Sequence, residues 1–355
     1  MIYQADVLII GLGPAGAAAA RAATQGGLSV IAVDRRQEIG VPVQCAEFIP
    51  LPMGKYAQAD GVLYQAIRGM KSYLPSGAVT ETAFPGLMIN RAAFDQALAR
   101  QARECGADLW LDSRLLSLDT AQSSAQIKTP DGEFRVNYQL LIAADGPHST
   151  VAAALNLPAL EVVSTRQYTV PLKQAYADTD IWLSADYPGG YAWLFPKGEW
   201  ANLGLGVDKH YAADMKIPLD ALHRQLIEQN LVGEEIIYRT GGAIPVGGLR
   251  DNLVVGKVLF TGDAAGLTHP ITGAGISAGV ISGERAGLAA VAQLVSGDAA
   301  ALADFEEDIR DQFEVTISRA VERRHWLNQY WQTAAAQDDA LHRKAWIAFP
   351  DYFTG

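Results

Sequence analysis

Hydrophobic positions along this chain follow three rhythms, and each predicts a different element. Near the start a continuous apolar run, Val7 to Ile10, ends on Gly11. Small residues then fill Ala15 to Ala23, broken by Gly16 and Arg21, and a second apolar run, Leu28 to Val33, closes on Asp34. Short uninterrupted apolar runs read as buried strands, so this stretch predicts strand, tight turn, helix, strand. Further on, Asn90 is followed by Phe94, Leu98 and Ala102 on one helical face, which predicts a helix over Arg91 to Glu104 with Asn90 as its N-cap. Asp108 to Asp112, Leu115 to Leu118, Ala125 to Thr129 and Glu133 to Val136 alternate like antiparallel strands, with Pro130-Asp131-Gly132 as a turn. Leu140 to Ala144 is continuous again and predicts a buried strand ending at Asp145-Gly146.

Between these elements, Arg35 to Lys55 reads as loop, punctuated by Gly40, Pro42, Pro50, Pro52 and Gly54. Ala66 to Val79 predicts one or two strands around Pro75-Ser76-Gly77, and Met88-Ile89 a short one. Residues 161–242 are rich in Tyr and Trp, alternate in short runs and hold one helix, about Pro218 to Asn230. Val254 to Thr261, broken at Gly256-Lys257, returns to strand, and a small-residue helix follows from about Gly275 to Val295. Ala300 to about Ala336 predicts one long helix with Phe305, Ile309, Phe313, Ile317 and Val321 on one face.

The first unit carries chemistry. Gly11, Gly13 and Gly16 form G-x-G-x-x-G between a predicted strand and a predicted helix, the context that gives this triplet meaning. Gly11 permits the turn, Gly13 lets a pyrophosphate reach the backbone, and Gly16 lets helix and strand pack closely. The helix start offers free N–H groups and a partial positive charge to phosphate. Asp34 follows Gly11 by 23 residues, near the spacing of a carboxylate that binds an adenosine ribose. A βαβ unit without a ligand is the bland alternative; the combined context favours a dinucleotide site. The expected fold is α/β: a Rossmann-like nucleotide domain from residues 1–65, 87–160 and 243–299. A mostly antiparallel β substrate domain, residues 66–86 and 161–242, interrupts it, and residues 300–355 form a helical tail.

Composition narrows the partners. With 355 residues the chain can bury two cores. Its formal charge of −11 argues against nucleic acid and gives no overall attraction to anionic lipid. The two cysteines, Cys45 and Cys105, are too few to ligate an iron–sulfur cluster unaided. A reducing, cytoplasmic setting is expected, with no signal peptide and no apolar run of about 18 residues to span a membrane.

Three further segments give the chain a family likeness: Leu140-Leu-Ile-Ala-Ala-Asp145-Gly146, Lys257-Val-Leu-Phe-Thr-Gly262-Asp263, and His269-Pro270-Ile-Thr-Gly273-Ala-Gly275-Ile276. With the glycine turn, they resemble the FAD-dependent group that includes aromatic hydroxylases and geranylgeranyl reductases. The reductases are most similar. Glu38-Ile-Gly-Val-Pro-Val-Gln-Cys45-Ala-Glu47 looks like their cysteine loop, and Tyr191-Ala-Trp193-Leu-Phe195-Pro196-Lys197-Gly198 like their Y-x-W-x-F-P-K-G segment.

The resemblance implies FAD, held by Gly11, Gly13, Pro14, Ala15, Gly16, Asp34, Arg35, Cys45, Ala46, Arg91, Leu115, Asp145, Gly262, Asp263, Gly273, Gly275 and Ile276. Asp263 would bond the ribityl chain, and the helix opening after Gly273 would present its N-terminus to the flavin. Cys45 would either protonate the reduced alkene carbon or shape the cavity, against the alternative of an inert buried loop residue. Tyr191 and Trp193 would wall the cavity or pack the β lobe, and His269 is either a proton donor or a turn histidine. The family pattern often has glycines after the cysteine, whereas Ala46, Glu47 and Phe48 follow here. The arginine by which the hydroxylases hold pyridine nucleotide is replaced by Ala152 to Ala154.

The implied activity is reduction of C=C bonds in a lipophilic, isoprenoid substrate, with electrons from an external donor, reduced ferredoxin or NAD(P)H. The rival is a flavin monooxygenase acting on an aromatic or a peptide side chain. For the tail, Trp326, Tyr330, Trp331 and Trp346 beside Arg323, Arg324, Arg343 and Lys344 offer two roles: packing onto the nucleotide lobe, or peripheral contact with the inner face of a membrane.

Overall fold

The computed structural model describes residues 2–211 and 214–354. Helices among them are α1 (Pro14–Gln25), α2 (Arg91–Glu104), α3 (Thr150–Ala154), α4 (Lys216–Glu228), α5 (Ile276–Leu294), α6 (Ala301–Asn328) and α7 (Asp339–Ala345).

The first sheet is built on Ile2–Ile10, which pairs in parallel with Val30–Val33 on one side and Gly132–Ala143 on the other. Val7 to Ile9 are fully buried, as expected of a strand covered on both faces. α1 lies against this sheet and α5 lies against α1. Their closeness rests on a ridge of glycines: a Cβ at Gly283 would fall 2.0 Å from the Ala15 carbonyl oxygen, and one at Gly287 2.6 Å from that of Ala19. The Gly279-x-x-x-Gly283-x-x-x-Gly287 repeat thus packs helix on helix.

A second sheet runs, in spatial order, Tyr238–Thr240, Val162–Pro171, Trp200–Val207, Ala192–Lys197, Asp178–Trp182, Gly69–Tyr73, Val79–Thr82. Neighbours in it are antiparallel except Asp178–Trp182 with Gly69–Tyr73. α4 covers one face through Leu219, Leu222 and Leu226. A three-stranded sheet, Phe48–Pro50, Gly86–Ile89 and Leu63–Ile67, brings the cysteine loop to the start of α2.

Several expectations are corrected. Glu133 to Val136 and Leu140 to Ala144 are one strand, Gly132–Ala143; the polar Asn137 and Gln139 between them mimic a break where burial changes from one-sided to complete. Asp108–Trp110 is parallel to Val30–Val33, because alternation reports half-burial and not the direction of the partner. The Arg35 to Lys55 loop contains a strand, Phe48–Pro50, and a 3-10 helix, Leu51–Tyr56. The tail helix stops at Asn328, and Asp338 caps a fresh helix, α7, by accepting from the Ala340 N–H. Phe305, Ile309 and Ile317 do pack onto the first core, but Trp346 and Phe349 pack against the second sheet and not the nucleotide lobe. No helix among the described residues is long and apolar enough to cross a membrane.

Candidate active site

The glycine turn divides its glycines by purpose. Gly11 has φ +101° and Gly16 packs so closely that a Cβ would lie 1.8 Å from the Gly11 carbonyl oxygen; both are required by the protein itself. A Cβ at Gly13 would meet nothing within 4 Å. Gly13 is the N-cap of α1, Pro14 follows, and no side chain caps the first turn. Donors of that turn therefore face open space, the cradle a pyrophosphate needs. Asp34 accepts from the Leu12 N–H at 2.7 Å and the Arg36 N–H at 2.9 Å. A carboxylate has about four acceptor positions, so capacity remains for ribose hydroxyls. Arg35 is exposed, and Leu115, on the strand Arg114–Asp119, is half-buried. Asp145 spends one oxygen capping α3, accepting from the Thr150 N–H and hydroxyl and the Val151 N–H; its other oxygen is buried without a partner among the described residues.

A second uncapped helix start lies at α5. Gly275 is its N-cap, and a Cβ there would fall 3.0 Å from Asp263 Oδ1 and 2.9 Å from Thr268 Oγ1. The Thr268 hydroxyl donates to Asp263 at 2.7 Å. Burial pushes the Asp263 carboxyl up, against Thr268 and Arg91, which pull it down. His269 closes the turn before α5: its Nδ1 accepts from the Ile271 and Thr272 N–H groups at 3.3 Å, and its carbonyl accepts from Gly273. Burial holds its pKa down to about 4, so it is neutral at pH 7 and its position is that of a turn organiser.

That shift has a stability consequence with a definite sign. Between pH 6.5 and about 4 the unfolded chain protonates this imidazole and the folded chain does not. The contribution is therefore fully present above the unfolded pKa and lost as pH falls towards 4, by up to about 3 kcal/mol. In His269→Asn the drop in Tm between pH 7 and about pH 4.5 is expected to shrink; an undiminished drop would contradict the assignment.

Cys45 lies where the lobes meet. The Glu47 N–H donates to its Sγ at 3.2 Å, and the Arg91 charge acts on it. Burial raises the Cys45 pKa, with Arg91 opposing, so the thiol keeps its proton. Arg91 in turn grips the buried Asp95 one helical turn on, with Nε–Oδ1 at 2.7 Å. Tyr191, Cys45, Arg91 and Asp263 form a chain of electrostatic neighbours. Gln167 ties the wall together: it accepts from Trp193 Nε1 at 3.0 Å and donates to the Cys45 carbonyl at 3.0 Å. Gly204 lies opposite Trp193 in the ladder because a Cβ there would sit 2.5 Å from the indole. The Tyr191 hydroxyl donates to the Thr272 carbonyl in the turn before α5.

Glu47 is the residue that pattern reading passed over. It is 1% exposed, with φ +70°, in the left-handed region that favours glycine. Its carboxylate accepts from the Arg91 N–H at 2.9 Å, from Asn202 Nδ2 at 2.8 Å and from Lys197 Nζ. It thus joins the start of α2 to the hairpin of the second sheet. The signal was present in the sequence: a charged residue standing where the family pattern has glycine.

Comparison with known proteins gives this arrangement its family. The model described as geranylgeranyl reductase catalytic domain matches residues 162–244, and an FAD-binding domain model matches residues 80–199. Digeranylgeranylglycerophospholipid reductase of Methanosarcina acetivorans is 34% identical over 316 residues, 82% of this chain and 76% of that protein. The chain belongs to the geranylgeranyl reductase family. Digeranylgeranylglycerophospholipid reductase 1 of Methanopyrus kandleri is also 34% identical, over 87% of this chain and 88% of its own. A geranylgeranyl bacteriochlorophyll reductase-like structure from Thermoplasma acidophilum superposes with TM-score 0.86 at 26% identity, over 97% of this chain and 92% of its own. Aklavinone-11 hydroxylase with FAD, TM-score 0.73 at 19% identity over 94% of this chain and 71% of its own, shares the fold alone.

This reductase-family chain is an FAD-dependent oxidoreductase. Its residues fit the cofactor: two uncapped helix starts, the open side of Gly13, the free acceptor capacity of Asp34, and Asp263 beside Gly275.

Proposed function

We propose that this chain saturates C=C bonds of an isoprenoid lipid of the digeranylgeranylglycerophospholipid type, using electrons delivered by reduced ferredoxin or NAD(P)H. The observation that carries the reading is Cys45, a thiol whose pKa burial raises, next in sequence to Ala46 of the Tyr191–Trp193–Phe195 apolar cluster and tied to Trp193 through Gln167. A hydride for one alkene carbon is the chemistry that FAD would supply when bound and reduced. Cys45 gives its proton to the other carbon, so the double bond gains two hydrogens. The thiolate left behind would be stabilised by the Arg91 charge and the Glu47 N–H until solvent reprotonates it. Tyr191 keeps its own proton, because burial raises its pKa; with Trp193 it orients the chain and excludes water. Arg91 therefore serves the thiol as well as the cofactor, and His269 shapes the turn on which Tyr191 rests.

The test is anaerobic mixing of chemically reduced holoenzyme with a digeranylgeranylglyceryl lipid. Return of oxidised-flavin absorbance is expected in the wild type. In Cys45→Ala, with flavin content unchanged, it should slow on the order of 10²-fold, the size of a general acid's contribution. Equal rates in the two proteins would remove Cys45 from the chemistry.

A further inference from the structure

The aromatic wall has a direction. Tyr191, Trp193 and Phe195 share one face of their strand, with about 6.6 Å between successive members. At the Phe195 end the aromatic surface runs outward. Phe195 meets Phe48 edge-on at 6.1 Å, Phe48 stacks on Phe84 at 5.8 Å, and Phe84 is exposed. Leu63 and Tyr64, on the strand paired with Gly86–Ile89, are exposed as well.

At the Tyr191 end the surface stops. Trp346, from the segment after α7, lies edge-on to Tyr191 at 4.9 Å and donates its Nε1–H to Ser72 at 3.2 Å. It is 3% exposed, and Phe349 backs it together with Met70, Leu74, Ile181 and Leu183. Beside Tyr191 and Trp346 remains a hollow of about 30 Å³, bordered by the apolar Ile271, Leu327 and Trp331 and by the polar Arg324 and His342. That is the room of a single water, where ligand pockets hold about 300–1,000 Å³.

We propose that Trp346 is a specificity-determining residue, the stop that the far end of the lipophilic chain meets after entering from the Phe48–Phe84 side. The C-terminal segment then sets how long a chain the cavity accepts, and shortening Trp346 joins the cavity to the hollow beside it. This rests on the isoprenoid reading above. A Trp346 that only glued the tail to the sheet would govern stability and leave length preference alone.

The experiment offers holoenzyme an equimolar mixture of geraniol, farnesol, geranylgeraniol and a longer polyprenol. Native mass spectrometry reads which lengths are bound, and anaerobic turnover of the same mixture reads which are reduced. Wild type, Trp346→Phe, Trp346→Leu and Trp346→Ala are compared. The ratio of longer to shorter alcohols bound should rise with each loss of side-chain volume, on the order of tenfold in Trp346→Ala, the scale on which pockets discriminate alkyl length. If Trp346→Ala does not fold, the ordering of wild type, Phe and Leu decides. A constant ratio across the folded proteins, whatever their Tm, overturns the stop. Should wild type reduce none of the alcohols while the bound lengths still shift, the isoprenoid reading fails and the stop stands. If wild type reduces them and the ratio stays constant, the stop fails and the reading stands. No alcohol bound by any variant overturns both.

Discussion

Gly13→Val is expected to fold like the wild type and to purify without yellow colour. A side chain at this position would meet nothing of the protein within 4 Å, so the first core has no reason to notice it. It would occupy the open side of the α1 N-terminus, where the pyrophosphate must approach the backbone. FAD affinity should fall on the order of 100-fold or more, about 2.8 kcal/mol. Gly16→Ala is the contrasting case: its Cβ would be forced to 1.8 Å from the Gly11 carbonyl oxygen, and the βαβ unit itself should fail. Far-UV circular dichroism together with flavin absorbance separates the two outcomes. A yellow Gly13→Val protein with unchanged FAD affinity would refute the assignment.

Glu47 gives the second large effect. Its carboxylate is 2% exposed and the Lys197 amine 14%. Removing the acid in Glu47→Ala leaves a largely buried ammonium and the Arg91 N–H without this acceptor, and leaves the Asn202 amide only the Ala46 carbonyl. Breaking a buried pair from one side costs about 3–5 kcal/mol, and the partial exposure of Lys197 argues for the lower end. Glu47→Gly should be milder than Glu47→Ala, by about 1 kcal/mol, because φ +70° suits glycine. Replacing both partners with apolar residues should recover much of the loss. Holoenzyme Tm across the Glu47/Lys197 double-mutant cycle measures this directly. Additive losses would show that the two side chains act independently.

These residues also show what a linear pattern can carry. The strand–turn–helix–strand unit was legible because burial on both faces leaves uninterrupted apolar runs, and α2 because Asn90 and a four-residue apolar spacing mark its start and its face. The site glycines were legible for the same local reason. Contacts made across the fold were not. Glu47 meets Lys197 and Asn202 at separations of 150 and 155 residues, and no periodicity links them. Trp346 reads as one more tail aromatic until the second sheet receives it. His269 left two readings open, proton donor or turn residue, and its burial and its two backbone donors favour the turn.

Reducing equivalents are expected to leave this protein as hydrogen added to carbon. Mass analysis of the lipid after anaerobic turnover with reduced holoenzyme, and again in air, reads this out. The product should be heavier by two hydrogens for every double bond consumed, identical in both atmospheres. A product that forms only in air and carries one added oxygen would contradict it.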